Sequence, residues 1–207
     1  MAILKKNYHK LQDEKLMGLI QQGNTVAFNE LYNRYSRRLL YYFFRMLGGD
    51  EQKAQDFLQD VFLKIVERPQ LFRPQKKFTN WIFTVAHNQC KNEYRRRQVR
   101  NIVKNSDDLD ALSYQSADDY QPAERNIDLC KFRAALLTEL QKFEAVQRSA
   151  FLLRYQENFS LKQIAEMQEC PEGTIKSRLF YTTQKLANKL KEFNPYNTEV
   201  KEDEKIR

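Results

Sequence analysis

Behind Pro171, Glu172, Thr174, Lys176, Ser177, Arg178 and Tyr181 crowd one polar face of an apolar-periodic segment. Side chains of these types near the start of a helix can reach base edges or phosphates in a DNA groove. A second cluster lies about a hundred residues earlier. Phe72, Arg73, Lys76, Lys77, Phe78, Asn80 and Trp81 fall within ten residues, followed by Arg95, Arg96, Arg97 and Arg100. Cations that neutralise phosphates, beside aromatics that can stack on exposed bases, are what a single strand requires. Trp81, at helical spacing from Val85, is expected in the core, and at least one of the adjacent arginines on phosphate.

Other chemistries find no support. His9 and His87 are the two histidines of the chain, and His87 with Cys90 makes one helical pair without further ligands, so no metal or cofactor is expected. No nucleophile–base constellation and no Gly-rich phosphate loop is present, which argues against an enzyme. Cys90, Cys130 and Cys170 are odd in number and far apart, a pattern of reduced thiols that points to the cytoplasm. Neither a membrane span nor a signal peptide is read from the sequence, so no direct membrane insertion is expected.

The elements that must carry these residues are helical. In 207 residues there are 5 Gly and 5 Pro, too few turn-formers for a β-sandwich or barrel. Leu11, Leu16, Leu19 and Ile20 suggest a short helix ending at Gly23. Phe28, Leu31, Tyr35, Leu39, Tyr42, Phe43 and Met46 form an amphipathic stripe stopped by Gly48-Gly49. Asp50 is placed to cap a third helix with Ala54, Phe57, Leu58, Val61, Phe62 and Ile65 inward. A fourth, starting near Thr79 or Asn80, carries Trp81, Ile82, Val85 and Ala86 inward and finishes in Tyr94 to Arg97.

Further on, Ile127, Leu129, Phe132, Ala135, Leu136, Leu140 and Phe143 make one helix, which Ala145 to Tyr155 continues or restarts. Ser160 and Gln163 form a capping box ahead of a short helix from Leu161 to about Met167. Pro171 then suits the first position of a new helix, with Ile175, Leu179, Leu186 and Leu190 inward. Two helices joined by three or four residues are the helix-turn-helix pattern, and Ile164, Ala165 and Ile175 are suited to pack it together.

The net charge of +8 is unevenly spread. Residues 1–100 carry +10, 101–125 carry −4, 126–193 carry +3 and the tail 194–207 carries −1. The expected fold is therefore all-α: two small helical domains, 1–100 and 126–193, joined by a flexible acidic linker over 101–125. That linker is read as a solvated tether, or as a nucleic-acid mimic lying in a basic channel of a partner.

In order, AFNELYNRYSRRLLYYFFRMLG, DEQKAQDFLQDVFLKIVE and FTNWIFTVAHNQCKNEYRRR resemble the helices of the first conserved domain of a bacterial sigma factor of the extracytoplasmic-function (ECF) group. FLLRYQENFSLKQIAEMQECPEGTIKSRLFYTTQKL resembles that family's C-terminal helix-turn-helix domain, and the match covers roughly residues 12–192. The resemblance implies a non-enzymatic subunit that binds core RNA polymerase, directs it to promoter DNA and helps open the duplex, with an anti-sigma factor as a habitual partner.

Residue by residue, QDFLQDVF resembles the segment that docks on the polymerase clamp, with Asp56, Gln59 and Asp60 on one helix face opposite Phe57 and Val61. KKFTNWIF resembles the loop that captures an unstacked base of the minus-10 element. That implies Asn80 and Phe78 on the base, Lys76 and Lys77 on phosphates, and Trp81 holding the loop. CPEGTIKSRLF resembles the minus-35 recognition helix, implying direct readout by Lys176 and Ser177, phosphate contact by Arg178, and packing or a thymine-methyl contact by Phe180. The family's turn has an apolar residue followed by Gly where this chain has Gln168-Glu169, so a positive φ at Glu169 would cost on the order of 1 kcal/mol. A competing reading is an autonomous helix-turn-helix regulator whose first block dimerises or senses; the polar FTNW stretch and the QDFLQD face weigh against it.

Overall fold

The computed structural model describes residues 7–103 and 127–194, which form eight α-helices and three short 3-10 turns with no strand among the described residues. Two compact units divide the chain, one built on residues 7–103 and the other on most of 127–194. The acidic linker expected over 101–125 lies almost wholly outside the described residues, as does the tail beyond Asn194.

In the first unit, α1 (Asp13–Ile20), α2 (Thr25–Met46), α3 (Glu51–Glu67) and α4 (Phe78–Val103) surround one core. The expected α2 stripe is inward: Leu31, Tyr35, Leu39, Tyr42, Phe43 and Met46 are buried, and Phe28 is half-buried. Burying each such side chain contributes about 1.5–3 kcal/mol, far more than helix propensity could. Asn24 accepts from the Ala27 N–H at 2.9 Å and Asp50 from the Lys53 N–H at 3.0 Å, each satisfying a donor that the helix start leaves open. After α2, Gly48 takes φ 85° and the Gly49 N–H returns to the Phe44 carbonyl, closing a Schellman motif. α4 differs from expectation: it begins at Phe78, extends six residues past Arg97, and buries Phe83, His87 and Cys90 while leaving Trp81 and Val85 half-buried.

In the second unit, α5 (Ile127–Gln141) and α6 (Ala145–Tyr155) are separate helices, so the chain restarts rather than continues. Both pack on α8 (Glu172–Lys189), and α7 (Leu161–Met167) precedes α8. Leu137, outside the expected stripe, is buried, while Leu129 is exposed. Arg148 is 2% exposed and ties α6 to the end of α5. Its Nε donates to the Leu140 carbonyl (2.9 Å), and its terminal nitrogens donate to Gln141 Oε1 (2.5 Å), the Gln141 carbonyl (2.7 Å) and the Phe143 carbonyl (3.1 Å). A cation there also meets the negative end of the α5 dipole. The position falls in inward register between Ala145 and Leu152, the signal from which its burial was legible.

The capping box forms as expected: the Ser160 N–H donates to Gln163 Oε1 at 2.9 Å, and the Gln163 N–H to Ser160 Oγ at 3.2 Å. Ile164, Ala165 and Ile175 are buried. α7 also ends in a Schellman motif, with the Cys170 N–H on the Ala165 carbonyl (3.1 Å) and the Glu169 N–H on the Glu166 carbonyl (3.4 Å). Glu169 supplies the left-handed residue, at φ 53°. Since glycine occupies that conformation without a Cβ clash, Glu169→Gly should raise thermal stability by about 1 kcal/mol. A thermal melt showing a lower midpoint would contradict this. Pro171 is the N-cap of α8, at φ −60° and ψ 148°, rather than its first helical residue.

Candidate nucleic-acid interface

The start of α4 is built from outside the helix. The Phe78 N–H, an open donor at the helix start, is accepted by Glu14 Oε1 of α1 at 3.2 Å. The Trp81 N–H closes on the Lys77 carbonyl at 3.1 Å, so within KKFTNWIF the two lysines precede the helix and the loop gives way to α4 at Phe78, one or two residues before the expected start. Phe78 is 0% exposed, with its ring 5.2 Å from Tyr35, 5.6 Å from Phe72 and 5.7 Å from Trp81. This corrects the expected base contact by Phe78: a ring enclosed by three aromatic neighbours has no face to offer. Asn80 is half-exposed on the same turn, and Lys76 and Lys77 are exposed beside it.

Upstream of this turn, α1 and α2 share a polar network that local sequence did not reveal. Arg34 donates to Asp13 Oδ1 at 2.6 Å, to Glu30 Oε1 at 2.7 Å, and to the carbonyls of Tyr8, His9 and Leu11. Burial would raise the Glu30 carboxyl, but hydrogen bonds from Arg34 and His9 hold it below the usual carboxylate range. The Tyr35 hydroxyl donates to Asp13 Oδ2 and lies 2.6 Å from Thr79 Oγ1. Burial, reinforced by the bond to Asp13, raises its pKa, so it stays protonated. The i,i+4 spacing of Glu30 and Arg34 was the available clue.

Toward the end of α4, Arg95, Arg96 and Arg100 are exposed. Arg97 instead donates to Glu93 Oε1 at 3.1 Å, where Lys53 of α3 also arrives at 2.5 Å and Arg100 at 3.5 Å. Glu93 is buried, which would raise its pKa, yet the bonds from Lys53 and Arg97 keep its carboxyl below the usual range. Arg97 thus joins a tie between helices, and Arg95 and Arg96 are the members of the triplet turned to solvent. On α3, Asp56, Gln59 and Asp60 are exposed opposite buried Leu58, Val61, Phe62 and Ile65, and Asp60 accepts from Gln89 Nε2 at 3.0 Å. Phe57 is half-buried, edge-on to Phe43.

α8 presents the other polar face. Glu172, Lys176, Ser177, Phe180 and Tyr181 are exposed, while Thr174 and Arg178 are half-buried. Lys176 lies 3.6 Å from Glu172, an exposed i,i+4 pair worth only a few tenths of a kcal/mol. Ser177 Oγ donates to the Gly173 carbonyl at 3.0 Å, and Arg178 reaches back to Cys170 Sγ at 3.5 Å. Phe180, 60% exposed, stands edge-on to Tyr181 at 5.4 Å, which removes core packing as its role and leaves a surface contact. His87 and Cys90 are buried, His9 pairs with Glu30 at 2.7 Å, and no group of three or more metal-ligating side chains occurs among the described residues.

Comparison with known proteins matches both units. Residues 31–100 match the family described as Sigma-70 region 2, and residues 133–186 match Sigma-70, region 4. The RNA polymerase sigma-H factor of Pseudomonas aeruginosa is 30% identical over 172 residues, covering 82% of this chain and 89% of its own. The ECF RNA polymerase sigma-E factor of Haemophilus influenzae is 30% identical over 191 residues, covering 87% and 96%. Among solved structures, the sigma factor RpoE of Bartonella quintana, crystallised with the anti-sigma factor NepR, shares the fold. Its TM-score is 0.64 at 21% identity, over 79% of this chain and 96% of that one. With two sigma regions in order along one all-helical chain, and relatives that it matches nearly end to end, the protein belongs to the ECF sigma factors, which bind RNA polymerase and direct promoter-specific transcription initiation.

Proposed function

We propose that the three exposed polar faces divide the work of initiation. Asp56, Gln59 and Asp60 on α3 dock on the polymerase. The start of α4 holds an unstacked base of the minus-10 element on Asn80, with Lys76, Lys77, Arg95 and Arg96 on phosphates. The start of α8 reads the minus-35 duplex. There Lys176 and Ser177 address base edges, assisted by Glu172, Thr174 and Tyr181, while Arg178 meets a phosphate and Phe180 a thymine methyl. The observation that carries this reading is that two helix starts, α4 and α8, each combine exposed cations with a hydrogen-bonding side chain. Such starts suit backbone phosphates and base edges together.

The weak Lys176–Glu172 pair releases its cation at little cost, and the half-exposed Asn80 amide can bond a base edge bidentately. The protein acts as a non-enzymatic factor in the cytoplasm, with core polymerase and promoter DNA as partners and an anti-sigma factor as its regulator. No helix among the described residues is long and apolar enough to cross a membrane.

The test is reconstitution. The chain should copurify with core polymerase and permit start-specific transcription from a supercoiled template; initiation no better with it than without it refutes the reading. Within that assay Lys176→Ala should weaken closed-complex binding to duplex minus-35 DNA about tenfold, one good contact being worth about 1–3 kcal/mol. Asn80→Ala should spare that binding and lower opening by a similar factor. Equal effects on both steps would reject the division of labour.

A further inference from the structure

The residues around Asn80 are held by α1, an element outside the set of faces just described. Asp13 and Glu14 are consecutive, and each reaches the first turn of α4 by its own route. Glu14 accepts the Phe78 N–H directly at 3.2 Å. Asp13 acts through Tyr35: the phenol gives its one proton to Asp13, so at 2.6 Å the Thr79 hydroxyl is the donor to the Tyr35 oxygen. Asp13 is in turn fixed by the 2.6 Å bond from Arg34. Of the two residues before Asn80, Phe78 is therefore bonded directly to the start of α1, and Thr79 is linked to it through Tyr35 of α2.

These bonds are part-buried and end on carboxylate oxygens, where a hydrogen bond is stronger than one between neutral groups. By contrast Lys77, 3.9 Å from Glu14 and with 77% of its side chain exposed, is barely restrained and remains available to a phosphate. The pattern separates a hydrogen-bonded backbone turn from an exposed, weakly paired cation beside it. A bidentate amide–base contact needs such a turn, because a shift of about 1 Å in a supporting shell is enough to lose it.

We propose that Asp13 and Glu14 are positioning residues for strand opening: through Tyr35–Thr79 and through the Phe78 N–H they set the placement of Asn80 against the captured base. The inference rests on the assignment of Asn80 to opening. It predicts that disconnecting α1 impairs opening while leaving polymerase docking and duplex recognition, which use α3 and α8, in place.

The experiment compares full-length Tyr35→Phe, Glu14→Ala, the double variant, Glu14→Gln and Asn80→Ala in reconstituted holoenzyme. The promoter is one found by mapping transcript starts, and opening is read as permanganate reactivity of unpaired thymines. Tyr35→Phe and Glu14→Ala should each lower opening about threefold, and the variant carrying both about tenfold. Glu14→Gln, which retains an acceptor oxygen, should restore most of the loss. Core polymerase affinity should stay within twofold, and a template with a preformed bubble should shrink the double variant's defect to within about twofold. If Asn80→Ala impairs opening but the double variant opens like wild type, or loses polymerase affinity in parallel, the positioning role is overturned and the assignment of Asn80 stands. If Asn80→Ala leaves opening unchanged, the assignment fails and the inference falls with it.

Discussion

Arg148→Met should destabilise the second unit by about 3 kcal/mol. Methionine fills a similar volume, so the loss isolates the polar role rather than a cavity. Arg148 supplies the Leu140, Gln141 and Phe143 carbonyls and the Gln141 side chain from one buried guanidinium. Losing a hydrogen bond to a carbonyl shielded from water costs about 1 kcal/mol or more, and three carbonyls lose one here, the bond to Leu140 buried and those to Gln141 and Phe143 part-buried. At about 0.05–0.15 kcal/mol per residue, a unit of this size has only roughly 3–10 kcal/mol to lose. Hydrogen exchange of α8 amides in the full chain reports the unit directly, and protection should fall by about two orders of magnitude while α2 amides keep theirs. Arg148→Lys, with the charge but without the planar fork, should fall between. Protection in α8 unchanged by the methionine would show that the carbonyls find other donors.

The second large effect concerns the α3 face. Asp56→Arg combined with Asp60→Arg should weaken binding to core polymerase about 100-fold. If this face meets a cationic or hydrogen-bond-donating surface, two reversals convert attraction into like-charge contact, which costs several kcal/mol across an interface. A 100-fold loss corresponds to about 2.7 kcal/mol. Both side chains are exposed and neither caps a helix, Asp50 holding that position, so the fold should survive apart from the Asp60–Gln89 bond. Titration of labelled polymerase checks the affinity, and circular dichroism checks that helix content is unchanged. Binding within twofold of wild type would remove these residues from the docking face.

Much of this architecture was legible because it is written locally. The α2 stripe, the Asp50 cap and the Ser160–Gln163 box each depend on residues within a turn or two of one another, and all three are present. The left-handed turn at Glu169 was anticipated instead from the resemblance, which has Gly where this chain has Glu169, and the motif that forms there spans six consecutive residues. What could not be read were contacts between distant positions. Arg34 with Asp13, Glu14 with Phe78, and Lys53 with Glu93 join residues 21, 64 and 40 apart, respectively, and no periodicity encodes them.

The sequence by itself determined an all-helical chain, the helix-turn-helix, the separation of basic modules and the residue types available for DNA. Only the tertiary structure decided which of those residues face water. Phe78 and Phe180 look equally able to meet a base, yet three aromatic rings enclose the first while the second stands on an open helix face. Arg95, Arg96 and Arg97 are chemically identical, and a buried carboxylate one turn away claims the third. A helical pattern assigns each side chain an angle around its own axis. How far neighbouring elements cover that angle depends on packing between helices, and that packing divides contact residues from core.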